Sequence, residues 1–149
     1  MYKFIVKQLV RRGFQQMSQG NFEEVLKLFQ PTIHFVFPGT HALAADLHDV
    51  QLVRQWFQRF SRIFPGLQFE LQTILVNGWP WNTVVATRFI VRATLKDGRP
   101  YRNAGGQFIR IRWGRIVEDY LYEDTQTLAN ELQREAQQGV EEAKAAPLI

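Results

Sequence analysis

The three histidines are the side chains of this chain that titrate closest to neutral pH and that commonly bind metals. His41 lies in a loop after Pro38-Gly39, where an imidazole can act as a general base or simply be exposed. His34 alternates with phenylalanines and His48 precedes a helix, so we expect both at the surface. No two histidines have a ligand spacing such as i, i+4 on a helix, and we therefore predict no metal site.

Glu118 and Asp119 form an acidic pair in the last predicted strand. Because side chains two apart on a strand share a face, Asp119 and Leu121 point the same way. Alternation does not decide whether this face is buried or whether the acids pair with surface arginines such as Arg110 and Arg112.

The first half of the chain, which must position the loop around His41, has the apolar spacing of helices. Asn21 and Asp49 are N-cap residues at the starts of the second and third helical segments, and Pro31 should end the second. We predict helices over about 4–17, 22–29 and 49–64, a strand over 32–37 and a loop over 40–48.

The second half alternates as strands do, with turns at Asp97-Gly98 and Trp113-Gly114. We predict strands over about 67–73, 82–95, 102–112 and 115–122, followed by a helix over 125–137 that Asp124 caps. Helices followed by an antiparallel meander predict an α+β fold, a curved antiparallel sheet wrapped around the N-terminal helices. We expect one domain over residues 1–138 and a flexible tail over 139–149.

Composition excludes several classes of protein. The 149 residues contain no cysteine, so the chain has no disulfide framework, thiolate metal site or cysteine nucleophile, which fits a cytoplasmic protein. No apolar run is long enough to span a membrane, and the N-terminus lacks the apolar core of a signal peptide. The net charge of +4 is spread among acids, which does not favour a nucleic-acid partner. No phosphate-binding or dinucleotide-binding glycine motif is present.

Four segments in this order resemble the SnoaL-like members of the nuclear transport factor two-like (cystatin-like) superfamily, over about Leu9 to Leu132. They are residues 19–29 (QGNFEEVLKLF), 37–44 (FPGTHALA), 60–69 (FSRIFPGLQF) and 114–120 (GRIVEDY) with 123–125 (EDT). The resemblance implies a cone with an apolar pocket that binds a small molecule, and it leaves the activity open because this fold hosts unrelated reactions.

The resemblance also implies candidate catalytic residues. Polyketide-cyclase-like members carry a histidine and an aspartate two apart on the last strand, where this chain has Asp119 and Leu121. If the family's inward face holds, Asp119 projects into the pocket as the acid/base group. Arg88, which matches the arginine of limonene-epoxide-hydrolase-like members, is then its counter-charge, and His41 is a further candidate base.

Two other chemistries of the family are not supported. Phe37 and Gly13 stand where ketosteroid-isomerase-like members carry an acid and a tyrosine. Ile90 and Leu121 stand where the epoxide hydrolases carry carboxylates.

The pocket is expected to be aromatic. We predict that it is lined by Phe35, Phe37, Trp56, Phe60, Gln107 and Leu121. A bulged turn at Gly114 would place Gln107 opposite Asp119. Such a pocket suits a small apolar or aromatic molecule.

Two functions follow from these expectations. The first is a small-molecule-binding protein with cofactor-free acid/base catalysis, similar to the polyketide cyclases or isomerases. The second is a non-catalytic ligand-binding or protein-interaction module of the same fold.

We also expect a homodimer through the outer face of the sheet. That face is predicted to carry Gln68, Glu70, Phe89, Val91, Phe108, Arg110, Glu118, Tyr120 and Tyr122.

Overall fold

The computed structural model describes all 149 residues, in a curved sheet with helices on one side. The helices are α1 (Tyr2–Ser18), α2 (Phe22–Leu26), α3 (Val50–Ile63) and α4 (Thr125–Gln137), with a final 3₁₀ turn, Glu141–Lys144. The strands are β1 (Phe29–Phe37), β2 (Ala45–Leu47), β3 (Gln68–Trp79), β4 (Asn82–Thr94), β5 (Pro100–Arg112) and β6 (Arg115–Glu123). No helix is both long enough and apolar enough to cross a bilayer.

Two predicted helix starts are confirmed by their capping hydrogen bonds. The Asp49 carboxylate accepts a hydrogen bond from the Gln51 N–H at 2.7 Å at the start of α3. Asp124 accepts one from the Thr127 N–H at 3.1 Å at the start of α4. These short-range interactions satisfy donors that the first turn of a helix leaves free.

The segment after Asn21 differs from the prediction. The helix ends at Leu26 instead of continuing to Phe29, and β1 runs through Pro31. The pairing of β1 with β6 is irregular between Phe29 and His34, so the proline lies where the hydrogen-bond ladder is interrupted. The predicted loop over 40–48 also contains the short strand β2, which pairs with the end of β1.

The sheet has the strand order β2-β1-β6-β5-β4-β3 and remains open at both edges. Every neighbouring pair is antiparallel except β1 and β6, which are parallel. Helix α1 packs against β3 and helix α3 against β1, so the helices cover the concave face. The expected α+β cone is therefore confirmed, with one parallel pair in the sheet.

The side chains of β4 point to the opposite faces of the sheet from those predicted. Phe89 and Val91 were expected on the outer face, but both are buried in the core. Thr87 pairs with Gln107 and Phe89 with Gly105, so the odd-numbered residues of β4 point toward the helices.

The chain after α4 packs against α3. Arg62 Nε donates to Glu142 Oε2 at 2.7 Å, and Arg59 Nη1 donates to the carbonyl oxygen of Ala146 at 2.7 Å. Ala143 is buried in the core. The flexibility of residues 139–149 and the domain boundary at 138 stay predictions.

Candidate functional site

A cavity lies between the concave face of the sheet and helices α1 and α3. Of its 21 lining residues 17 are hydrophobic, and the others are Gly13, Gln107, Asp119 and Glu123. The cavity volume is about 80 Å³. A cavity needs about 10–15 Å³ to hold one water molecule, so this space suits a molecule of one or two rings. Its aromatic walls are Phe14, Phe29, Phe35, Trp56, Phe57, Phe60, Phe69 and Phe89.

Most of the residues expected in the pocket do surround this cavity, and one does not. The structure places Phe35, Trp56, Phe60, Gln107 and Leu121 in its wall. Phe37 lies instead in the packed core, beside Phe64 and Leu67. Trp56 is held in place because its indole N–H donates to the carbonyl oxygen of Leu43 at 2.7 Å.

Asp119 is the buried carboxylate of the cavity. Its residue is 3% exposed, and its Oδ1 accepts a hydrogen bond from Gln107 Nε2 at 2.9 Å. Burial raises the pKa of Asp119 to about 7, against the opposing effect of the Gln107 hydrogen bond. The expected burial and polar contact of Asp119 are confirmed, and its catalytic role stays a prediction.

The register that joins Gln107 to Asp119 differs from the expected one. Asp119 lies opposite Ile109, and Gln107 lies opposite Leu121, one same-face position along the strand. The irregularity in pairing falls between Arg110 and Ile111 and not at the turn. Gln107 faces the cavity as predicted, and its amide reaches Asp119 diagonally.

Arg88 does not reach Asp119. It pairs with Gly106 across the sheet. Because Arg88 directly follows the inward-facing Thr87 on β4, its side chain points to the opposite, exposed face. The predicted ion pair is therefore wrong, because the β4 register reverses the facing assumed for this strand. No Lys, Arg or His lines the cavity, so no cation offsets the cost of burying the Asp119 charge.

His41 also lies outside the cavity wall. Its Nδ1 accepts a hydrogen bond from the Leu43 N–H at 3.2 Å, and its ring meets Phe37 edge-on. Burial lowers the pKa of His41, which favours the neutral imidazole. The structure therefore separates His41 from the site of Asp119.

Glu123 is a second carboxylate that lines the cavity, on a half-buried residue, and the sequence analysis missed it. Burial raises the pKa of Glu123 to about 7, and Asn103 Nδ2 donates to its Oε1 at 3.3 Å. Asp119, Leu121 and Glu123 are successive alternate residues of one strand and share a face, so strand alternation could have predicted that Glu123 faces the cavity. Four residues of strand separate the two acids by about 13 Å, too far for them to share one proton.

Two buried polar atoms on the inner face of β4 and β5 have no hydrogen-bond partner in the protein. They are the Gln107 Oε1 carbonyl and the Thr87 Oγ1 hydroxyl. Because Thr87 and Gln107 are directly paired across β4 and β5, these atoms lie on the same face of the sheet. Gln107 lines the cavity, so its carbonyl can accept a hydrogen bond from a bound molecule, whereas Thr87 is not one of the lining residues.

Comparison with known proteins identifies both family and fold. The model of the SnoaL-like domain matches residues 10–119. PrhC from Penicillium brasilianum NBRC 6234 superposes with a TM-score of 0.77 at 18% identity, covering 91% of each chain. No curated protein matches the sequence significantly.

Two further solved structures have the same fold. IdmH from Streptomyces antibioticus, provisionally assigned as a polyketide cyclase, has a TM-score of 0.65 at 23% identity, covering 80% of this chain and 92% of its own. A nuclear transport factor two-like protein of unknown function from Burkholderia pseudomallei has a TM-score of 0.71 at 17% identity, covering 83% and 94%. At these identities the likeness shows the fold alone.

Proposed function

We propose that this chain, which belongs to the SnoaL-like domain family, binds a small, flat carbonyl compound in its cavity and transfers a proton through Asp119. The observation that carries the proposal is the burial of Asp119 among aromatic side chains with no cation beside it. A carboxylate in such surroundings is a stronger base than an exposed one, and a pKa near neutrality suits proton transfer.

The neighbours of Asp119 support this role. Gln107 holds Oδ1, which leaves Oδ2 for the substrate. Asp119 would take a proton from the carbon next to the substrate carbonyl. The Oε1 carbonyl of Gln107, which has no partner in the protein, would accept a hydrogen bond from a hydroxyl group of the substrate. Return of the proton to another carbon isomerises the substrate, and attack of the carbanion on a second carbonyl closes a ring. IdmH, provisionally assigned as a polyketide cyclase, fits this class of reaction.

A second function, binding without catalysis, is favoured by one residue. Leu121 stands where the polyketide-cyclase-like members carry an aspartate, so Asp119 has no carboxylate beside it on that face. A protein of this kind would bind the same molecules and leave them unchanged.

Exchange of carbon-bound hydrogen for deuterium tests the proposal. Wild-type protein in D₂O is incubated with 2-indanone or β-tetralone, and the signal of the acidic C–H is followed by NMR. We expect the rate of protein-catalysed exchange to be at least about 100-fold lower in Asp119→Asn, because general base catalysis accelerates proton transfer by at least that factor. The wild-type rate should rise with pH through about 7, where Asp119 becomes ionised.

The matched control is Glu118→Gln, which removes the neighbouring carboxylate on the outer face, where Glu118 pairs with Arg110. This variant should exchange at the wild-type rate. Binding without accelerated exchange, measured by saturation-transfer NMR, would establish the non-catalytic function. Equal rates for Asp119→Asn and wild type would exclude Asp119 as the base.

A further inference from the structure

A cluster of two histidines and one aspartate lies on the outer face of the sheet, away from the cavity. Phe35 pairs with Leu47 and Val36 with Asp46, so the same antiparallel register brings His34 opposite His48. Asp46 and His48 are two residues apart and share a face. The two imidazole rings stack with centroids 4.2 Å apart.

The potential ligand atoms of this cluster already converge. Asp46 Oδ1 is 2.8 Å from His34 Nε2 and 3.5 Å from His48 Nε2, and all three ligand atoms lie within 4.8 Å of one another. Ligands on a tetrahedral ion with bonds of about 2.0–2.1 Å are about 3.3 Å apart. Only small side-chain movements would therefore complete a coordination sphere.

Tyr120 orients His34 through the ring nitrogen that does not face Asp46. It lies on β6 beside Val36, and its hydroxyl is 3.2 Å from His34 Nδ1. When Nδ1–H donates to the Tyr120 oxygen, the Nε2 lone pair of His34 is free to bind a metal. Outer hydrogen bonds of this kind orient histidine ligands in metal sites.

We propose that His34, Asp46 and His48 bind a divalent transition-metal ion, with Zn²⁺ as the best fit to two imidazoles and one carboxylate. The partly exposed cluster leaves a fourth position to water or an exogenous ligand. The ion would join the edge strand β2 to β1. Helical spacing rules overlook this cluster, because its histidines are brought together across two strands.

Titration of tag-free, full-length protein with ZnCl₂ tests the proposal. In long-range ¹H–¹⁵N NMR spectra, the Nε2 signals of His34 and His48 should shift in a saturable way. The third histidine, His41, is an internal control that should not move. Calorimetry should give one site, and saturating Zn²⁺ should raise Tm by a few degrees, because the ion binds only the folded chain.

Variants separate this site from incidental binding. His48→Gln and Asp46→Asn should each weaken Zn²⁺ binding at least about 10-fold, and Tyr120→Phe should weaken it less. Glu70→Gln, which removes another exposed carboxylate of the sheet, should bind as wild type does. Circular dichroism checks that each variant is folded. Equal affinity in all variants, or unchanged His34 and His48 signals, would overturn the proposal.

Discussion

Asp119 and Glu123 hold ionisable groups against apolar side chains, where the charged form is costly. In both residues burial raises the pKa above the ordinary value of a carboxyl group. Ionisation of these carboxyl groups therefore reduces the stability of the fold as the pH rises through their pKa values. Substitution of Asp119 measures that cost.

We predict that Asp119→Asn stabilises the protein at pH 8. The folded chain keeps the Asp119 proton up to about pH 7, whereas the unfolded chain loses it near 3.8. The contribution of Asp119 to the free energy of unfolding therefore falls between about pH 4 and 7. Asparagine keeps the hydrogen bond from Gln107 without a charge, so we expect a gain on the order of 2–4 kcal/mol at pH 8.

Urea unfolding of both proteins at pH 5 and pH 8 measures this difference. The advantage of the asparagine variant should be smaller at pH 5 than at pH 8, because only part of the difference in pKa acts at pH 5. An advantage that does not change with pH would show that Asp119 does not titrate in this range.

At the scale of elements, the turn after β1 depends on the absence of a side chain at Gly39. Its φ is 137°, and a Cβ there would lie 2.4 Å from Nε2 of His41. The His41 ring packs in turn against Phe37 at the end of β1. The glycine therefore allows the loop to close over the end of the strand.

We predict that Gly39→Ala destabilises the protein by about 1–3 kcal/mol, through a strained backbone and the displacement of His41. Gly20→Ala is the matched control, since Gly20 also has a positive φ, 77°, but a Cβ there meets no atom within 4 Å. Urea unfolding should show the larger loss for Gly39→Ala. Equal losses would mean that the contact with His41 adds nothing.

Local rules predicted the caps at Asp49 and Asp124 because each interaction spans two or three residues. The predicted continuation of the second helix beyond Leu26 was wrong, because pairing of β1 with the distant β6 overrides the helical pattern of this segment. The facing of Arg88 was wrong for a related reason. One shift in register reverses every side chain of a strand, and register is set by pairing across the sheet.

At the scale of the whole molecule, the outer face of the sheet exposes aromatic residues. Phe108 is 50% exposed and Tyr122 is 44% exposed, and their rings meet edge-on with centroids 6.2 Å apart. The ion pair between Arg110 and Glu118 lies on the same face. With Phe89 and Val91 in the core, this face is less apolar than the sequence suggested.

We still predict a homodimer through this face, because aromatic residues beside arginine are typical of protein interfaces. Light scattering at micromolar concentration should give twice the chain mass of 17.5 kDa. Tyr122→Glu should yield monomer, whereas Trp81→Glu, a change of another exposed aromatic residue in the β3–β4 turn, should not. A wild-type mass of one chain would rule the dimer out.

The parallel pairing of β1 with β6 has a consequence for how the chain acquires its structure. His34 pairs with Glu118 and Val36 with Tyr120, so strands more than eighty residues apart in sequence form one ladder. Contacts of such high sequence separation slow folding, because a long loop must close before they form. On the ribosome, β1 and β2 must wait for β6 to emerge before they can join the rest of the sheet. Until then one edge of β1 has no partner strand, and an unpaired strand edge makes the nascent chain prone to aggregate.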